Sequence, residues 1–198
     1  MNVAIVGATG YGGIQAVNLL KNNKNFKISY LGGHKSSGSR WNDNFPFIYL
    51  DSDLFIEKIS VDNITNKSDI ALLCLPNGIS STLTRGLLEK GLKVIDLSAD
   101  YRYKSLEAWK KVYTREASIY KRDDDDLCKE AIYGLPEINK EAISKGRLIA
   151  CPGCYPTSAL IPLVPFLSQG IIENEGIVID SKSGTSGGGR EPNQKLLL

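Results

Sequence analysis

"NVAIVGATGYGGIQAVNLL" (residues 2–20) decides the fold. Residues 2–6 form a short apolar run of the kind carried by a strand buried on both faces. Gly7, Gly10, Gly12 and Gly13 then crowd into seven residues. Apolar Ile14, Val17 and Leu20 follow at helical spacing, within a helix expected over residues 13–22. Strand, glycine-rich turn and helix in that order open a dinucleotide-binding βαβ unit. Gly7 permits the tight turn, Gly10 lets backbone approach a pyrophosphate, and Gly12 or Gly13 lets the helix pack on the strand. The pyrophosphate sits on the helix N-terminus, where unpaired amides and the helix dipole favour an anion. The spacing is G-x-x-G-x-x-G rather than G-x-G-x-x-G, so a purely structural turn is the competing reading.

Outward from this stretch, "KISYL" (27–31), "IALLCL" (70–75), "KVIDL" (93–97) and "RLIA" (147–150) read as further buried parallel strands. A helical pattern over residues 79–90 ends at Gly91, a suitable C-cap. Strands alternating with helices predict an α/β fold, a Rossmann-type doubly wound parallel sheet over residues 1–150. From Cys151 to Leu198 a second region begins, read as the start of an α+β catalytic domain. It has a helix over 157–167, a strand in "GIVIDSKSG" (176–184), a glycine-rich loop in "SGTSGGGR" (183–190), and a closing "LLL" that resembles the start of another element. That region is too short to build a core of its own, so the sequence reads as the N-terminal part of a longer protein. Between residues 101 and 145 the pattern loosens. "KRDDDD" (121–126) reads as a solvated loop, with a metal or partner site as the alternative, and Cys128 has no evident partner.

The chain has 198 residues, 42% hydrophobic and 23% charged, with net charge +2. Scattered basic residues argue against nucleic acid, and no apolar run approaches a membrane span. Residue 1 leads straight into a strand pattern with no secretory signal, and four cysteines without a framework suit a cytoplasmic protein.

The end of the second strand chooses the cofactor. An NAD site places an acid there for the ribose hydroxyls. Here "GGHKSSGSR" (32–40) holds none, and His34, Lys35, Ser36 and Arg40 offer positive charge and hydroxyls that suit a 2′-phosphate, hence NADP(H). His34, the chain's one histidine, reads equally well as a solvated loop residue, and it lies at the adenosine end, away from the reacting ring.

"ACPGCYPTSA" (150–159) holds two cysteines. With no second pair and no histidines beside it, zinc is disfavoured and no metal is expected. A thioredoxin-like redox pair is a closer rival. The third reading is one nucleophile, Cys154, at the start of a helix whose N-terminus favours a thiolate, with Gly153 letting a substrate approach. A thiolate facing a nicotinamide suggests attack on an activated acyl carbon followed by hydride transfer.

"GATGYGG" (7–13), "LPNG" (75–78), "DLSADYR" (96–102), "YGLPE" (133–137), "PGCYPT" (152–157) and "SKSGTSGGGR" (181–190) together resemble the N-acetyl-gamma-glutamyl-phosphate reductases of arginine biosynthesis. Aspartate-semialdehyde dehydrogenases share the architecture and the cysteine but not "DLSADYR" or "YGLPE". The lysine-pathway aminoadipyl-phosphate reductases share more, though their cysteine motif usually lacks the Tyr-Pro found here. The resemblance implies an NADPH-dependent reductive dephosphorylation through a Cys154 thioester, giving N-acetylglutamate semialdehyde. It implies that Gly7, Thr9, Gly10, Tyr11, Gly12 and Gly13 cradle the pyrophosphate, with Ser36 and its basic neighbours at the 2′-phosphate. Pro76 would border the nicotinamide ribose, and Gly184, Ser186, Gly187 and Gly188 would approach the nicotinamide. Arg102, Gly153 and Tyr155 fall on the substrate side; for Arg102 an ion pair with Asp96 or Asp100 is the equal alternative. Two departures stand out. Cys151 replaces the family's usual Asn, and the family's acid/base histidine has no counterpart here, so this chain alone is expected to be inactive or a cofactor-binding fragment. The partners implied are a small-molecule substrate and, at full length, a homo-oligomer.

Overall fold

The computed structural model describes residues 1–190 of the 198, so the closing leucines lie outside the described residues. Strand β1 (Asn2–Val6) enters the glycine turn and α1 (Tyr11–Leu20), and the chain returns as β2 (Lys27–Gly32). After α2 (Trp41–Asn44) come a two-residue β3 (Ile56–Glu57), α3 (Val61–Lys67), β4 (Ile70–Leu73), α4 (Ser81–Glu89) and β5 (Lys93–Asp96). Gly91 sits at φ +87°, as a helix C-terminal glycine should. Helices α5 (Leu106–Val112), α6 (Thr114–Ile119) and α7 (Asp125–Glu130) precede β6 (Ile132–Tyr133), α8 (Pro136–Lys145) and β7 (Leu148–Ala150). All seven strands pair in parallel in the order β3-β2-β1-β4-β5-β7-β6. This is the expected doubly wound sheet. Its order reverses at β1 and β4, and the crevice outside their carboxyl ends is where such sheets take ligands.

Apolar residues alternate between two cores, one on each face of the sheet. Ala4, Val6, Leu73 and Val94 pack with α4 and the helices after β5, and Val3, Ile5 and Leu31 pack with α1 and Trp41. The loosely patterned stretch after β5 belongs to the first core through Tyr101, Leu106, Trp109, Leu127 and Cys128.

Here the solvated-loop reading of the four aspartates fails at Asp124, while Asp123 and Asp126 are exposed. Asp124 is buried and accepts from Tyr101 Oη at 2.6 Å and from Arg122 Nε at 3.0 Å. The Arg122 guanidinium, itself buried, lies 4.4 Å from the Trp109 ring centroid and 5.0 Å from that of Tyr101. Asp125 accepts from the Leu106 amide at 2.9 Å, and Asp126 pairs with Arg85 at the surface. Cys128 is likewise not partnerless, since Arg122 Nη2 lies 3.6 Å from its sulfur. Arg122 meets aromatic faces that lie far away in sequence, so a run of like charges folds inward at the neighbouring Asp124. Asp124→Asn leaves the buried guanidinium uncompensated, and we expect a loss of about 3–5 kcal/mol in urea unfolding. A loss below 1 kcal/mol would show that water reaches this pair.

The last described helix, α9 (Cys154–Ser168), begins three residues earlier than the sequence pattern suggested and contains Pro162 and Pro165. No residue of α9 is buried. The strand expected over 176–184 is absent. Those residues carry no regular structure, and Val178 is 90% exposed. A strand exists only where a neighbour completes its hydrogen bonds, and among the described residues none is alongside.

Candidate functional site

The glycine turn is built for close approach. Gly7 lies at φ +84°, and a Cβ there would fall within 2.9 Å of the Cys74 carbonyl carbon. A Cβ on Gly13 would lie 2.6 Å from the Ala8 Cα. Gly10 caps α1 with no side-chain hydrogen bond, and among the described residues the amides of Tyr11, Gly12 and Gly13 have no partner. Three unpaired amides at the N-terminus of a ten-residue helix, with no side chain in front of them at two of the three positions, fit a pyrophosphate.

Beside this turn, at the end of β4, stands the loop of residues 75–78. Its position is set by the segment after β5. Asp100 accepts from the Gly78 amide at 2.6 Å and from the Ser81 amide at 2.9 Å, and Asn77 Oδ1 accepts from the Ala99 amide at 2.9 Å. Pro76 is left exposed at the loop's tip. Asp96 is fully buried and accepts from both the amide (3.0 Å) and the hydroxyl (2.7 Å) of Ser98. Burial, opposed by these bonds and assisted by the Asp100 charge, pushes its carboxyl up from 3.8 to about 6. The folded state therefore holds the proton more tightly than the unfolded chain does. The stability this brings is complete below about 3.8 and is lost as pH rises through about 6. A shift of about two units corresponds to about 3 kcal/mol. Asp96→Asn is expected to flatten the stability profile between pH 4 and pH 7 by that order, as measured by urea unfolding; parallel profiles would refute it.

The same segment reaches the nucleophile candidate. Arg102 donates from Nε to the Cys151 carbonyl (2.8 Å) and from Nη2 to the Leu97 carbonyl (2.9 Å). A Cβ on Gly153 would stand 3.1 Å from its Nη1. The ion pair with Asp96 or Asp100 considered from sequence is not formed. Asp96 is taken by Ser98, and Asp100 by two amides.

Cys154 is exposed as the first residue of α9, and its sulfur lies 4.0 Å from Ser183 Oγ. Gly153 caps the helix without a side chain, and the Cys154 and Tyr155 amides have no partner among the described residues. Cys151 differs in every respect. Its amide donates to the Asp96 carbonyl at 2.8 Å, and burial together with the Asp96 charge pushes its thiol up to about 11. Cys74 is pushed up to about 12 by the same causes, and Cys128 to about 11 chiefly by burial.

These features can be set beside known proteins. Residues 2–146 match the family model for the semialdehyde dehydrogenase NAD binding domain, and residues 154–198 match that for the semialdehyde dehydrogenase dimerisation domain. The chain belongs to the semialdehyde dehydrogenase family. Curated relatives include proteins named N-acetyl-gamma-glutamyl-phosphate reductase from Prochlorococcus marinus. One, from strain MIT 9215, is 86% identical over all 198 residues, and one, from strain SARG, is 57% identical. The chain spans 56% and 55% of their lengths. Among solved structures, aspartate semialdehyde dehydrogenase II of Vibrio cholerae superposes with TM-score 0.58 at 23% identity, over 84% of this chain and 46% of that one. The Candida albicans aspartate semialdehyde dehydrogenase gives 0.55 at 18%, over 85% and 47%. At these identities the likeness speaks for the fold, and the family's NAD-binding domain supports a nicotinamide cofactor.

The remaining sequence candidates of this semialdehyde dehydrogenase chain are spread over two other loops. His34, Lys35 and Ser36 form an exposed turn after β2, anchored where Ser39 donates to the Ser36 carbonyl. Arg40 lies 3.6 Å from Asp53 and stacks on Phe55, both contacts at the surface. Gly184 caps a tight turn over Thr185–Gly188 that includes Ser186, Gly187 and Gly188 and follows Ser183, so the Cys154 contact brings them to the nucleophile candidate. Tyr11 and Tyr155 are exposed at the heads of α1 and α9. The sequence reading gave no role to Asn77 or Ser183, and took Asp100 only as a possible partner of Arg102. All three lie within the motifs quoted for the resemblance, which was the available signal. No helix among the described residues is long and apolar enough to cross a membrane. The segment matching the dimerisation domain exposes Ile161, Phe166, Ile177, Val178 and Ile179.

Proposed function

We propose that this chain carries the cofactor site and the nucleophile of a cytoplasmic NADP-dependent N-acetyl-gamma-glutamyl-phosphate reductase of arginine biosynthesis, with residues 1–150 as the nucleotide domain and residues 151–198 opening the catalytic and dimerisation domain. The observation that carries the proposal is the separation of the two cysteines. Cys154 stands exposed at a helix head beside Ser183, while Cys151 is tied to the carboxyl end of β5 through the Asp96 carbonyl. A redox pair would need both thiols to be available. The names of the curated relatives supply the substrate class.

In this reading Gly7, Thr9, Gly10, Tyr11, Gly12 and Gly13 hold the pyrophosphate by backbone. His34, Lys35, Ser36 and Arg40 hold the 2′-phosphate, and Pro76, Gly184, Ser186, Gly187 and Gly188 flank the nicotinamide, which supplies the hydride. Cys154 sulfur attacks the acyl carbon, the C–O bond to phosphate breaks, and inorganic phosphate leaves. The thioester carbonyl oxygen lies where the Cys154 and Tyr155 amides can donate to it. Arg102, held by two carbonyls with Nη1 toward Gly153, binds the phosphoryl group, and Gly153 leaves room for it. Tyr155 lines the substrate side.

The test is phosphate-dependent reduction of NADP⁺ by N-acetylglutamate semialdehyde, run on a polypeptide of the relatives' full length and on these 198 residues. Turnover in the longer chain with cofactor binding alone in the shorter one is the expected result. Turnover only with the aminoadipate analogue moves the substrate to the lysine-pathway class. Lys35→Ala with Arg40→Ala should weaken NADPH by about ten-fold or more while leaving NADH nearly unchanged. Equal weakening removes the 2′-phosphate assignment.

A further inference from the structure

Arg190 has no place in the scheme above, yet it is the residue that joins the two glycine-rich loops. Its Nη1 donates to the Thr9 carbonyl at 2.9 Å, and its guanidinium carbon lies 5.6 Å from the Phe45 ring centroid. Thr9 stands one residue before the cap of α1, so the contact falls on the turn whose next three amides, at residues 11–13, are unpaired. A guanidinium carries five N–H donors in a fixed plane, and one meets a described residue, Thr9. Among the described residues no carboxylate pairs with Arg190. At its other end, the loop that Arg190 closes begins at Ser183, 4.0 Å from the Cys154 sulfur. One loop of eight residues thus runs from the nucleophile candidate to the phosphate turn, and its last residue is an exposed cation seated on an aromatic face.

We propose that Arg190 is a ligand of the cofactor's pyrophosphate and, through the same contact, the latch that sets the loop of residues 183–189 against the nicotinamide. The inference rests on the cofactor reading above. A guanidinium beside unpaired helix-head amides adds a charge-assisted bond to a site that the dipole already favours. Stacking on Phe45 fixes its plane, so little side-chain freedom is lost when the anion arrives.

The pyrophosphate is common to NADH and NADPH, and this separates the latch from the 2′-phosphate contacts. Nucleotide affinity is measured by fluorescence titration of the full-length protein with each cofactor. Arg190→Ala is expected to weaken NADPH and NADH alike, by about 10- to 100-fold. Arg190→Gln keeps a donor for the Thr9 carbonyl but no charge, and should be as weak as Arg190→Ala. Arg190→Lys should recover part of the loss. Thermal unfolding without nucleotide should be nearly the same for all three, because Arg190 is exposed. Unchanged affinity in Arg190→Ala, full recovery in Arg190→Gln, or a loss confined to NADPH would each overturn the proposal. If wild-type protein bound neither nucleotide, the cofactor reading itself would fall and the latch with it; wild-type binding with an indifferent Arg190→Ala would sink the latch alone.

Discussion

Cys154→Ser is expected to abolish acyl-phosphate reduction in the full-length protein, by on the order of 10⁴-fold or more, while Cys151→Ser stays within about ten-fold of wild type. A hydroxyl at the head of α9 is too weakly acidic to replace a thiolate without a base beside it, and the side chain 4.0 Å from the sulfur, Ser183, offers another hydroxyl. Cys151 contributes main chain. Its amide is bonded to Asp96, its carbonyl to Arg102, and its half-buried thiol, pushed up to about 11, stays protonated at neutral pH. Serine keeps every one of those backbone bonds. Alkylation checks the same contrast without turnover: iodoacetamide on folded protein should label Cys154 first and spare Cys74, Cys128 and Cys151. Equal loss of activity in the two variants would instead establish the dithiol reading.

Gly13→Ala should destroy the fold of the nucleotide domain, costing at least about 3 kcal/mol. The added carbon would lie 2.6 Å from the Ala8 Cα, and nothing there is a side chain that can swing away. Gly10 stands three residues earlier on the same turn, and a Cβ there would stay 3.5 Å from the Gly7 carbonyl oxygen, an ordinary contact. Gly10→Ala should therefore fold normally and lose nucleotide affinity, because the methyl group projects where the pyrophosphate approaches. Circular dichroism melts and NADPH titration of the pair separate the glycine that closes the turn from the glycine that opens it to a ligand. A normally folded Gly13→Ala protein would show that β1 and α1 can move apart.

Residues 2–20 were legible because strand, turn and helix there are consecutive, so one periodicity gives way to the next within reach of a short window. Five of the seven parallel strands were legible because their centres are apolar runs buried on both faces, whereas β3 and β6, two residues each, are too short to leave a pattern. Asp124 was not legible, because what draws it inward is Arg122 held between Trp109 and Tyr101, a meeting that follows only from the tertiary path. Residues 176–184 misled in the opposite direction. Their run of three β-branched apolar residues is real, but hydrogen-bond partners decide a strand, and the described residues contain none for it. The site shows the same division. Its glycines and Cys154 stand out by type and context, whereas Asp100 and Arg190 act through contacts across 22 and 181 residues.

The segment of residues 96–102 is bonded to the loop after β4 on one side and to the carbonyl of Cys151 on the other. The loop after β4 and the main chain leading into Cys154 are therefore tied to one frame, the carboxyl ends of β4, β5 and β7. On the proposed reading, the walls beyond α9 could be exchanged, and with them the acyl group accepted, without re-aiming Cys154.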